Sequence, residues 1–65
     1  MPDVDLDAAR REFAYLTGLF EDAALLASEG QGIETVHDGL IKMRRVSITM
    51  GRIQRQLVIL NKLLQ

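Results

Sequence analysis

Apolar residues recur along the first half of the chain at Leu6, Ala9, Phe13, Leu16, Phe20, Ala23 and Ala27, in steps that alternate between three and four. That spacing returns to one side of a helix every two turns and predicts an amphipathic α-helix. Asp3, Asp5 and Asp7 stand at its start, where carboxylates cap free N–H groups and meet the positive end of the helix dipole. "SEGQG" closes it, with Gly30 the expected left-handed residue after the last turn. The pattern predicts helix 1 over about 4–28 and a turn over about 29–32.

The second half repeats the theme at Val36, Leu40, Met43, Val46, Met50, Ile53, Leu57, Leu60 and Leu64, with one step near Met43–Val46 short by a residue. Helix 2 is expected over about 33–64, with Thr35 and Asp38 as a weak capping box and a start at about Gly32, or only near Gly39 where "GIETVHDG" stays irregular. "RRVSITM" alternates in the manner of a strand and is rich in β-branched residues. A strand there would need a second copy of the chain to pair with, so helix is preferred. In an antiparallel pair, facing residues have a constant sum of numbers. Leu6/Leu57, Phe13/Met50, Leu16/Val46 and Ala27/Val36 give 62 or 63. The short turn agrees with antiparallel neighbours. The fold class read from the chain is all-α: one domain, residues 1–65, forming an antiparallel helical hairpin of two long helices.

Each helix also carries apolar residues away from that stripe. On helix 2 these are Ile41, Ile48, Ile59 and Leu63, on the side that holds Arg44, Arg45, Arg52, Arg55 and Lys62. On helix 1 they are Val4, Ala8, Tyr15, Leu19 and Leu26, with Glu12 and Asp22 alongside. Solvated arginine faces with scattered isoleucines are common, because arginine stems lie over apolar surface. A two-helix hairpin has a single contact surface, however, and a second layer is expected to complete it. Pairing the helix 1 patch with the helix 2 patch of another copy predicts a homodimeric four-helix bundle with coiled-coil-like packing. Helix 2 is expected to outrun helix 1, leaving an end for a partner to cover.

Size sharpens this picture. A chain of 65 residues buries only about 60% of its unfolded surface, and such scaffolds lean on disulfides, metals or oligomerisation. There is no cysteine and a single histidine, which excludes disulfides and thiolate zinc and leaves association. The apolar content of 48% against 26% charged residues marks a globular sequence rather than a disordered one. No apolar run approaches the ~20 residues that span a bilayer, and "MPDVDLD" is acidic where a signal peptide is basic. A cytoplasmic, bacterial setting without membrane contact is the expectation.

The net charge of −1 conceals a division. Residues 1–29 hold seven acids and two bases, and residues 33–65 hold six bases and two acids. The halves therefore carry −5 and +4.

Chemistry is sparse. His37 has no serine or cysteine at a useful spacing, and phosphotransfer through it ranks last among the expected functions. Asp3, Asp5 and Asp7 have the spacing of a calcium loop, but Ala8 replaces its glycine and Ala14 its last glutamate. "GQG" follows no strand and lacks the lysine of a phosphate loop. "RRVS" around Ser47 is a short basophilic pattern inside a helix. No catalytic, cofactor or metal site is read from the chain.

The functional expectation is a non-catalytic protein–protein interaction module: a regulator, adaptor or chaperone-type subunit that self-associates and binds a protein partner. Tyr15, Leu19, Leu26, Ile41, Ile48, Ile59 and Leu63 are the candidate interface, with Arg44, Arg45, Arg52, Arg55 and Lys62 as steering charges. Nucleic acid bound by those arginines is the second reading. A dimer of hairpins resembles in architecture the Rop-type RNA-binding four-helix dimers, and the same shape is similar to small bacterial co-chaperones and anti-activators. That likeness rests on architecture and not on motif residues.

Overall fold

A computed structural model describes residues 4–65. Two helices account for nearly all of them: α1, Leu6–Gly30, and α2, Val36–Leu64, packed against each other as an antiparallel hairpin. The "RRVSITM" segment is helical throughout.

Local chemistry fixes both helix starts. Asp5 is extended and its carboxylate accepts from Ala8 N at 3.0 Å, satisfying a free donor of the first turn, while Asp7 lies within that turn. Asp3 lies outside the described residues. Thr35 does the same for α2, its hydroxyl accepting from Asp38 N at 3.1 Å. The predicted capping pair is therefore present, and α2 begins between the two starts the spacing allows.

The end of α1 departs from expectation. Gly30 is helical, and no described glycine has a positive φ. The helix closes instead through three tight bonds, from Gln31 N to Ser28 O, Gly32 N to Glu29 O and Ile33 N to Gly30 O, at 3.1, 3.1 and 3.4 Å. Such three-residue bonds satisfy the last carbonyls without a left-handed residue. The chain crosses over residues 31–35, where Ile33 leans on α2: a Cβ added to Gly39 would meet Ile33 Cδ1 at 2.8 Å.

Running α1 on to Gly30 moves the hairpin's midpoint, and with it the register. The least exposed residues form two rows on each helix. On α1 these are Ala9, Leu16, Ala23 and Gly30, beside Glu12, Leu19 and Leu26. On α2 they are Gly39, Val46, Ile53 and Leu60, beside Lys42, Thr49, Gln56 and Leu63. Paired in antiparallel order, their numbers add to 68 or 69 in place of 62 or 63. Gln56 confirms it: its Nε2 donates to the Glu12 carbonyl at 3.1 Å and also to the Glu12 carboxylate. Half of the expected seam is thus correct, and the other half is one residue out on both helices. Phe13, Phe20, Met43, Met50, Leu57 and Leu64 are exposed, whereas Glu12, Leu19, Lys42, Thr49, Gln56 and Leu63 occupy the contact. The expected overhang of α2 disappears as well, because this register sets Leu64 level with Asp5.

The interior is thin. Leu16, Leu19, Ile53 and Leu60 form the core cluster with Ala23 against it, Ala9 is buried further along, and among the described residues no side chain is fully buried. The Cα trace measures only 14 by 9 Å across its length, a single layer of two helices.

Ile53, at 2% exposure, is the best-buried apolar side chain. Ile53→Ala is expected to cost about 2–5 kcal/mol, read from the midpoint of urea unfolding. A Cβ at Gly51 meets nothing within 4 Å, so Gly51→Ala should stabilise α2 by about 0.5–1 kcal/mol in the same assay.

Gln56 is expected to set register more than stability. Gln56→Leu should change stability by no more than about 1 kcal/mol while replacing a single set of amide cross-peaks by several. One unchanged set would show that the turn alone fixes the pairing.

Candidate functional site

The two rows of contact leave two unlike sides to the hairpin. On one side, α1 presents Tyr15, Asp22 and Glu29, and α2 presents Arg45, Arg52 and Ile59. That Tyr15, Asp22, Arg52 and Ile59 belong together is shown by the clefts they line. One of about 360 Å³ is bounded by Tyr15, Arg52, Arg55, Gln56 and Ile59. Another of about 380 Å³ is bounded by Tyr15, Leu19, Asp22 and Arg52 among others. Lys42 and Glu29 join the helices there at 3.1 Å. The charge division of the sequence is laid across the seam, acids on α1 against bases on α2. Arg52 consequently lies beside Asp22 of its own chain, not turned away from α1 as its helix position suggested.

The opposite side is different in kind. Leu6, Phe13, Phe20 and Ala27 follow one another at seven-residue intervals along α1, flanking the Ala9–Leu16–Ala23 row. Val36, Met43, Met50, Leu57 and Leu64 do the same along α2, flanking the Val46–Ile53–Leu60 row. Those two inner rows face each other, so the two flanking rows share a side. All of the large residues in them are exposed, with Phe20 at 50% and Met43 at 60%. The next positions outward are Arg10, Thr17 and Ala24 on α1 and Ser47, Gln54 and Asn61 on α2. Arg10 is the one charge among them, and it is paired with Asp7 at 2.9 Å.

The expected interface residues divide accordingly. Leu19, 5% exposed, is core, and Leu26 and Leu63 are half-buried in the seam, so these three are not available as a separate interface. The reason is the one-residue rotation of the contact. Tyr15, Ile41, Ile48 and Ile59 are exposed, as are Arg44, Arg45, Arg52, Arg55 and Lys62. Ile41, Ile48, Arg44 and Arg45 come together with His37 and Leu40 around a shallow cleft of about 440 Å³ on the outside of α2. Tyr15 and Ile59 meet in the cleft beside Arg52, a full helix width from that one. None of the five cations is in an ion pair among the described residues.

The residues that sequence reasoning placed elsewhere are those of the uncharged side. A signal for them exists in the sequence: Phe13, Phe20, Met43, Met50 and Leu57 are larger than a close two-helix contact with alanines needs. The same chain gives a constant antiparallel sum for either choice of second row, which hides the distinction.

His37 is exposed in the first turn of α2, and the cleft it lines contains no serine, cysteine or carboxylate. Among the described residues, no three His, Cys, Asp or Glu side chains are grouped to hold a metal ion, and no helix is long and apolar enough to cross a membrane. The chain matches no family model, and neither the curated proteins nor the solved structures contain a match to it.

Proposed function

We propose that this chain is a non-catalytic helical interaction module, a regulator, adaptor or chaperone-type subunit that self-associates and binds a protein partner through its helix faces. The observation that carries this reading is the uncharged side of the hairpin. Continuous exposed apolar surface running the length of both helices is what interaction sites have and isolated monomers avoid. The charged side supports it in a second way. Its cleft has an apolar floor from Tyr15 and Ile59 and a rim of Arg52 and Arg55, and the cleft on the outside of α2 repeats the plan with Ile41 and Ile48 beside Arg44 and Arg45. Apolar anchors between cations suit an amphipathic acidic segment, in which burial supplies affinity and charge sets orientation.

A nucleic-acid reading has one observation in its favour, the five exposed cations of α2 without ion-pair partners. Phosphate contacts need no apolar floor, and the acids of α1 border the same side, so this reading ranks second.

Salt separates the two. Under the protein reading, affinity for duplex RNA or DNA stays at the non-specific level of about 10⁻⁴–10⁻⁶ M in filter binding. A steep fall of a tight affinity with rising salt, abolished by Arg52→Glu with Arg55→Glu, would favour nucleic acid instead. For the protein reading itself, proteins cross-linked to the wild-type chain are compared with those cross-linked to Arg45→Glu/Arg52→Glu. A discrete set lost in the variant, at unchanged helicity, is expected. No difference between the two would remove the charged side from the function.

A further inference from the structure

The reading above leaves open what covers the uncharged side. We propose that it is the same side of a second copy of this chain, so that two hairpins stack face to face into a four-helix bundle with their charged sides turned outward. This rests on the chain being an interaction module and names the occupant of its largest surface.

Area is the first argument. The hairpin exposes 5232 Å², whereas a compact monomer of 7.3 kDa exposes about 4,200 Å² by the scaling of surface with mass. The excess is on the order of 1,000 Å², and a standard-size interface removes about 800 Å² from each partner. The excess follows from the thin shape, 56 by 14 by 9 Å, and one further layer on one side would remove area of that order.

Shape is the second. Phe13 and Phe20 on α1, and Met43, Met50 and Leu57 on α2, repeat at seven-residue intervals on both helices. A seven-residue repeat is the spacing at which α-helices pack at shallow angles in bundles, side chains of one helix entering the gaps of the next. The hairpin's own seam has the same period, so a second hairpin meets a surface of matching pitch. Methionines at Met43 and Met50 adapt to whichever gaps the approach leaves.

Charge is the third. A two-fold axis sets the residues nearest it against their own counterparts, so like charges meet there, which penalises a charged surface. The uncharged side has no such penalty in any orientation, and it offers nothing by which a chain of different sequence would be selected or oriented. Permanence points the same way. Five buried apolar residues, one of them alanine, make a small interior, so the second layer belongs to the folded state itself. A second copy is the one occupant present wherever this chain is made.

The arrangement replaces the dimer expected from sequence, in which Tyr15, Leu19 and Leu26 would meet Ile41, Ile48, Ile59 and Leu63. Leu19, Leu26 and Leu63 are committed to the intrachain seam. It also changes what a partner sees: the clefts at Tyr15 and Arg52 are displayed twice, on opposite outer sides of the bundle, and binding is bivalent.

The test is sedimentation equilibrium of the full chain from micromolar to near-millimolar concentration, at low and high salt, with circular dichroism alongside. The expected result is a salt-resistant species of twice 7.3 kDa. Phe20→Asp or Met50→Asp, each placing two carboxylates in the interface, should weaken it about a hundredfold or more, and Ile59→Asp should leave it intact. Should the aspartate variants unfold, peroxide oxidation of the wild type decides: Met43 and Met50 should be protected increasingly as concentration rises. A helical wild type that keeps the mass of one chain throughout overturns the proposal, as does a dimer broken by Ile59→Asp and indifferent to Phe20→Asp. In the monomer case, strong binding of an anilinonaphthalene dye would keep the interaction reading with another occupant. Absence of dye binding would sink both.

Discussion

A buried glutamine decides which way this hairpin faces. Gln56 lies in the contact between the helices at 4% exposure, in a row otherwise open to leucine, and both of its hydrogen bonds to Glu12 cross from one helix to the other. A polar amide at such a position loses its partner in any other register, and the cost of an unpaired buried amide is on the order of 1–3 kcal/mol. Apolar contacts alone would not choose so firmly, since leucines and isoleucines are available on several sides of α2. With Glu12 and Gln56 opposed, Leu16 falls level with Ile53 and Ala9 with Leu60, and every other surface of the molecule follows.

The polar pair has a consequence for the sides. Committing Glu12, Lys42, Thr49 and Gln56 to the contact turns Phe13, Met43, Met50 and Leu57 out of it. The chain spends polar residues where two helices meet and keeps its bulkiest apolar ones for a surface the hairpin cannot close. That distribution is unfavourable for an isolated hairpin and favourable for half of a larger bundle, where specificity within the subunit comes from hydrogen bonds and cohesion between subunits from area. The acids of α1 and bases of α2 complete the division. On the other side Lys42–Glu29 ties the helices and Arg52 faces water beside Asp22.

Much of this was legible in the sequence, and the part that was not has a definite cause. Helix content, the hairpin and both N-caps follow from periodicity and from Asp5 and Thr35, because these depend on neighbours a few residues apart. Row assignment does not. An α-helix returns to a face after three or four residues, so a stripe through Leu16 and Ala23 is completed equally well by Phe20 or by Leu19, and hydrophobicity favours Phe20. Two features outside the apolar pattern break the tie: the Gln56–Glu12 pair, and the turn, where α1 continues through Gly30 on tight bonds that composition does not signal. α1 ends two residues later than the pattern predicts and α2 starts three later, so the turn moves along the chain and the antiparallel sum rises from 62 or 63 to 68 or 69. For the candidate site, the exposed cations and Tyr15 were identifiable from helix position, whereas the same rotation took Leu19 into the core and left Leu26 and Leu63 half-buried in the seam.

That rotation links fold to function more closely than any single residue does. Had the seam used Phe13, Phe20, Met50 and Leu57, the hairpin would have a fuller interior and two mixed, mostly solvated sides. With the observed seam it has a lean interior, one side without net charge and one with separated charge. The two sides are suited to different physical tasks. Burial of apolar area is insensitive to salt and undemanding of orientation, which suits permanent assembly. Exposed arginines around small apolar clefts act at longer range and discriminate by sign, which suits a partner that must be recognised and released. A chain of 65 residues cannot build both into one interior, and the hairpin separates them by placing the seam between them.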